Sequence, residues 1–88
     1  MFEWDNNKAE LNQAKHRVSF EFATRAFDDA QRVTAIDHRQ DYGEPRYITL
    51  AKIGNRVYVV AFTIRSSVIR LVSARKANTR EVKRYENR

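Results

Sequence analysis

Apolar residues recur along the whole chain, but their period changes partway. Over residues 5–16 the spacing is helical. Asp5 can accept a backbone N–H at the helix start, and Lys8, Asn12, Lys15 and His16 fall on one polar stripe. The apolar side of this helix is thin: Ala9, Leu11 and Ala14. Ser19 is placed to cap a second, short helix to about Phe27, whose wide apolar face of Phe20, Ala23, Ala26 and Phe27 reads as core. From about Arg32 the period falls to two, the signature of strands. A first strand is expected over residues 32–37, then a polar loop over 39–45 with turn residues Asp41, Gly43 and Pro45. Further strands follow over 46–53, 56–65 and 68–74. Gly54-Asn55 suits a two-residue hairpin, while Ser66-Ser67 is a weaker turn signal. Asn78 with Glu81 forms the pattern of a capping box for a last helix to Arg88. The expected fold class is α+β: two N-terminal helices, a three- to four-stranded antiparallel sheet and a C-terminal helix, in two layers.

Hairpin counting turns this pattern into geometry. Counting outward from Gly54-Asn55 pairs Ile53 with Arg56 and brings Arg46 opposite Thr63; counting from Ser66-Ser67 pairs Arg65 with Val68 and Thr63 with Arg70. One face then carries Thr49, Ala51, Tyr58, Val60, Phe62, Ile64, Ile69 and Leu71, a core surface. On the other face Arg46, Thr63 and Arg70 form one transverse row, and Glu44, Arg65 and Val68 the next. Guanidinium groups on adjacent strands lie ~5 Å apart and repel unless something anionic sits between them. A phosphodiester fits; so does an ordinary surface ion pair of Glu44 with Arg65. A one-residue bulge would scatter the rows. By the same alternation Arg75 points to the core side or past the strand end, or binds backbone or the last helix.

Composition narrows the functional classes. The 88 residues carry 17 Lys and Arg, most of them arginine, against 11 Asp and Glu, for a net charge of +6. Such a balance favours a polyanionic partner, and guanidinium binds phosphate bidentately where lysine cannot. One domain spanning residues 1–88 is expected, burying only ~60–65% of its unfolded surface. There is no cysteine, so neither disulfides nor thiolate metal sites arise, as suits a reducing cytoplasm. The start lacks a signal-peptide pattern, and the longest apolar run, 57–62, is far too short to cross a membrane. His16 and His38 are isolated proton carriers. No cluster has metal-ligand spacing and no glycine-rich phosphate loop occurs, so neither metal nor cofactor is expected. Tyr85, one turn after Glu81, reads as packing, with a place at a site as the second reading. Arg80, Arg84 and Arg88 recur at i, i+4 as a solvated stripe or a phosphate-tracking edge.

Three blocks of the sequence resemble a known family. "FEWDNNKAELNQAKHRVSFEFA" is similar to the N-terminal signature of the BrnT toxins, with F-E-W-D, a Lys, an Asn and K-H-x-V-S-F-E at these spacings. "GEPRYITLAKIGNRVYVVAFTIR" resembles the family's E-x-R…G…T-x-R pattern, and "IRLVSARKANTREVKRYE" its I-R-I-I-S-A-R-x-A…E…Y ending. The resemblance spans about residues 2–86. Phe22 departs from it, standing where an acidic residue is common.

The resemblance implies a bacterial, cytoplasmic type II toxin with a RelE-like ribonuclease fold that stops growth by cutting RNA and blocking translation. It also implies a BrnA-type ribbon-helix-helix antitoxin that covers the toxin, the complex binding operator DNA through the antitoxin. The chemistry expected is metal-independent cleavage, in which the ribose 2′-OH attacks its own phosphorus. Arg65 and Arg70 are the first candidates for the phosphate, then Arg46 and Arg75. Glu44 is a candidate base, weakened by neighbouring arginines; His16, with Lys15 on the α-helical stripe, is the other. Lys8 and Tyr85 complete the set of candidate site residues. The alternative is a non-catalytic basic RNA- or DNA-binding module, or a protein whose basic surface docks an acidic partner. Against the module, no surface stripe of aromatics suited to stacking bases is present.

Overall fold

The computed structural model describes residues 1–39 and 41–88; Gln40, inside the expected polar loop, lies outside the described residues. The elements run β1 (Phe2–Glu3), α1 (Asn6–His16), α2 (Phe20–Ala23), a 3₁₀ helix (Thr24–Asp28), β2 (Val33–Ile36), β3 (Tyr47–Ile53), β4 (Arg56–Arg65), β5 (Val68–Lys76) and α3 (Thr79–Glu86). The expected caps are all used. Asp5 Oδ2 accepts the Lys8 N–H at 3.0 Å, and Ser19 Oγ accepts that of Phe22 at 3.0 Å. Asn78 and Glu81 close a reciprocal capping box at 2.9 Å each way. The second helix is α-helical for one turn only and continues as 3₁₀ to Asp28.

The five strands form a single sheet in the order β1-β5-β4-β3-β2. This corrects the expected all-antiparallel sheet of three or four strands. Strand β1 lies parallel to β5, with Phe2 beside Ile69 and Glu3 beside Arg70. Two residues are too few to display a period, so the pattern of the sequence could not reveal them. Both hairpins have the expected register, Ile53 opposite Arg56 and Arg65 opposite Val68. Ser66 and Ser67 both take positive φ, 50° and 67°. That backbone matches the twist of the flanking strands and is usually given to Asn or Gly, which is why two serines signal it weakly.

The layering also differs from expectation. One face of the sheet packs on α1, α2 and the 3₁₀ helix, through Val18, Phe20, Ala23 and Ala26 against Ala51, Val60, Phe62, Leu71 and Ala74. Ring contacts tie this layer together, Trp4 to Phe20 at 5.9 Å and Phe27 to Phe62 at 5.1 Å. Alternation sends Leu50, Val57 and Val59 to the other face, where α3 covers them with Val82 and Tyr85. The helices therefore lie on both faces. Ile64, expected in the core face, stands at the end of β4 and is 51% exposed.

Strand β5 departs from simple alternation. Leu71 is opposite Phe62 but Ser73 is opposite Ala61, so Val72 is the extra residue of a β-bulge. The slip brings Arg75 opposite Val59, on the α3 face rather than the core side. There it donates to both carboxylate oxygens of Glu81, at 2.9 and 2.8 Å. Of the readings open for Arg75, two are observed together: it binds the last helix through Glu81 and also donates to the backbone oxygen of Lys76 at 3.3 Å.

Candidate functional site

α3 covers only part of the second sheet face. Beyond it a transverse row crosses the sheet: Glu3 on β1, Arg70 on β5, Thr63 on β4, then Arg46 just before β3 and Asp37 just after β2. Arg70 donates to Glu3 at 3.1 Å. Arg46 stacks on the Tyr42 ring at 3.6 Å from its centroid, and Tyr42 donates its hydroxyl to Asp37 at 3.1 Å. Asp37, buried and gripped by Arg39 at 2.9 and 2.8 Å, has its carboxyl held far below the usual range, chiefly by those hydrogen bonds. It organises the loop that carries Arg46. Among the described residues, two buried polar atoms in this row have no hydrogen-bond partner, Arg46 Nε and Thr63 Oγ1. Each costs ~1–3 kcal/mol, and such groups gather where structure serves something other than stability.

The next row holds the pair expected from hairpin counting. Arg65 donates to both oxygens of Glu44, at 3.0 and 2.6 Å. Those hydrogen bonds lower the Glu44 carboxyl below its ordinary value, and the charges of Arg65, Arg46 and Arg70 act in the same direction. All three guanidinium groups therefore lie within electrostatic reach of one carboxylate.

Helix α1 adds the third side. Beyond β1 the outer edge of β5 is open, and Asn12 closes it. Its amide donates to Ala74 O at 2.8 Å and to Val18 O at 3.0 Å, and its oxygen accepts the Ala74 N–H at 3.0 Å. Both donors and the oxygen of that buried side chain are engaged, and two of the three bonds hold α1 to the sheet edge. Residues on the same stripe then line a cleft of about 320 Å³: Lys8, Leu11, Lys15 and His16 from α1, Arg46 from the row, and Val72 and Ser73 from the bulge. Leu11, expected on the apolar side of the helix, is 70% exposed in this cleft.

Of the sequence-predicted residues, the structure thus gathers Lys8, Lys15, His16 and Arg46 around the cleft, with Arg65, Arg70 and Glu44 in the adjoining rows. Arg75 and Tyr85 do not join them. Arg75 is tied to α3, and Tyr85 is buried, donating to Asp29 at 2.6 Å. Sequence reasoning missed Glu3, Asn12 and Tyr42 as parts of the site, and it raised a bulge without placing it. Only the bulge left a trace: apolar positions run 69 and 71, then slip to 72 and 74.

An oxyanion-rich, flexible ligand suits this arrangement, because cations from β4, β5, the residue before β3 and helix α1 outnumber the carboxylates among them. Among the described residues no helix is long and apolar enough to cross a membrane. A comparison with curated proteins finds no match. The family model described as "Ribonuclease toxin, BrnT, of type II toxin-antitoxin system" matches residues 4–81, a span that includes every residue lining the cleft. The chain belongs to this family of ribonuclease toxins, whose membership implies RNA as substrate and an antitoxin as partner.

Proposed function

We propose that the protein is a RelE-like endoribonuclease of the bacterial cytoplasm that cuts RNA without a metal ion, through attack of the ribose 2′-OH on the adjacent phosphorus. What supports this reading is the placement of Arg70 and Arg65 on neighbouring rows of the open sheet face, with Arg46 joining the first row to a cleft lined by Lys8, Lys15 and His16. In this mechanism Arg65 and Arg70 hold the non-bridging phosphate oxygens and Arg46 supports them. As the 2′-oxygen adds to phosphorus, negative charge grows on those oxygens. Fixed guanidinium donors stabilise it by several kcal/mol, since they need no reorganisation at the moment of reaction. The 2′-O–P bond forms, the P–O5′ bond breaks, and the products are a 2′,3′-cyclic phosphate and a 5′-OH end.

Proton transfer to and from the two oxygens adds ~10²–10⁴-fold for each positioned carrier. His16 is assigned this role because it lines the cleft. Both oxygens of Glu44 are occupied by Arg65, and the depressed pKa makes it a poor base. Glu44 instead orients the Arg65 guanidinium until a phosphate displaces it. Lys8 and Lys15 neutralise neighbouring phosphates along the strand. A BrnA-type ribbon-helix-helix antitoxin would silence such an enzyme by covering the same basic face, and the pair would bind operator DNA through the antitoxin.

Mass spectrometry of the RNA ends tests the chemistry. Cyclic or 3′-phosphate termini paired with 5′-OH are expected. A 3′-OH product would exclude 2′-OH attack, and binding without cleavage would favour a non-catalytic module.

A further inference from the structure

The cleft contains an apolar patch that phosphate chemistry does not require. Leu11 is 70% exposed on a helix that is otherwise polar on this side, and Val72 stands beside it in the lining. Neither position is forced by the fold. Helix α1 is fastened through Asn12, and Leu11 takes no part in the core. Val72 is the residue that the bulge adds to β5, and bulges next to functional sites commonly re-aim side chains. The patch is bordered by Lys8, Lys15 and Arg46, and the exposed Ser73 hydroxyl lies at its rim. An apolar floor with cations at its edge and one hydroxyl beside it has the chemistry of a nucleotide: a flat base to bury and a phosphate to neutralise.

We infer that Leu11 and Val72 form a nucleobase subsite, seating the base of a nucleotide whose phosphate is held by Lys8, Lys15 and Arg46. This rests on the ribonuclease reading for its setting and extends it by assigning a place to a base. The contact is made by aliphatic side chains with a base face, so all four bases can enter, and Ser73 biases among them through one hydrogen bond.

The test is titration of the ¹⁵N-labelled protein, followed by NMR, with inorganic phosphate and with each of the four 3′-nucleotides. The 3′-nucleotides should bind about tenfold more tightly than phosphate, the worth of removing two methylene-sized groups from water. Their shifts should centre on Leu11, Val72 and Ser73. Leu11→Ala should lower nucleotide affinity to that of phosphate and leave phosphate binding unchanged, whereas Lys15→Ala should weaken both. Leu11 is a solvent-facing helix position, so its truncation spares the fold; Val72→Ala is the second variant and should act alike. Equal affinity for nucleotide and phosphate, or unchanged nucleotide binding by Leu11→Ala, overturns the subsite. RNA cleavage by the same preparations separates the two ideas. Nucleotide binding at Leu11 without cleavage upholds the subsite and removes the nuclease; cleavage by a parent that binds nucleotide no better than phosphate does the reverse.

Discussion

Asn12 does for the edge of β5 what a further strand would do, since one amide satisfies both the N–H and the C=O of Ala74. Asn12→Ala leaves those buried groups unpaired and loosens α1 from the sheet. The expected loss is about 3 kcal/mol by urea denaturation, several times that of Lys8→Ala on the exposed part of the same stripe. A residue-level test also separates the roles of Glu44. Glu44→Gln removes the charge that holds Arg65 but not the cleft, so RNA cleavage should fall less than ~10-fold; a general base would cost ~10²-fold or more. The Glu44–Arg65 pair was readable from hairpin counting because both turns take two residues and alternation does the rest. Asn12 was not. Helical spacing put it on a polar stripe, and nothing local distinguishes an amide facing solvent from one facing an open strand edge. Glu3 escaped notice for a similar reason: its partner Arg70 is distant in sequence, and the strand joining them is two residues long.

At the scale of elements, β5 decides how the two faces are shared. Its bulge bends the strand beside α1 and exposes Val72 and Ser73 to the cleft. Because a bulge sets two residues against one, deleting Val72 leaves Ser73 opposite Ala61 and every later side chain on its present face. The deletion variant is therefore expected to melt in a single cooperative transition, with stability lowered by about 1–2 kcal/mol, while RNA cleavage drops at least ~10-fold. Thermal melting followed by circular dichroism, with the cleavage assay alongside, checks both parts; an unfolded variant would contradict them. The apolar residues slip phase at this bulge, whereas strict alternation offered the core side as one of the readings for Arg75. A single inserted residue inverts every face assignment beyond it, so periodicity reads strands reliably only up to their first irregularity. The same limit applies to α3, whose capping box was evident but whose place on the sheet depended on which face still had Leu50, Val57 and Val59 to cover.

For the whole molecule, charge shapes the pH dependence of stability and is the basis of the proposed chemistry. The carboxyls of Asp37, Glu81 and Asp29 are held below their ordinary values. For Asp37 and Glu81 the main cause is the partner arginine, Arg39 and Arg75 respectively. For Asp29, burial pushes the carboxyl up and is outweighed by hydrogen bonds from Lys52 N–H, Tyr85 and Gln31 N–H. A depressed folded-state pKa stabilises the protein above the unfolded value, near pH ~4, and that contribution is lost as pH falls through the folded value. Tyr85 runs the other way: its hydrogen bond to Asp29, with burial, raises its pKa. Its contribution is complete below pH ~10 and is lost as pH rises through the raised value. Urea denaturation across pH should thus show a plateau with falling limbs on both sides. Tyr85→Phe should flatten the alkaline limb, and stability that rises below pH ~4 would contradict this picture.

The proposed function turns on the excess of cations on the open sheet face, and one assay addresses it directly. Purified protein is incubated with mixed RNA in EDTA, beside an Arg65→Ala, Arg70→Ala double variant whose folding is verified by circular dichroism. Cutting by the parent in the presence of chelator is expected, with a fall of at least ~10³-fold in the variant. A folded double variant that cuts as fast as the parent would contradict it.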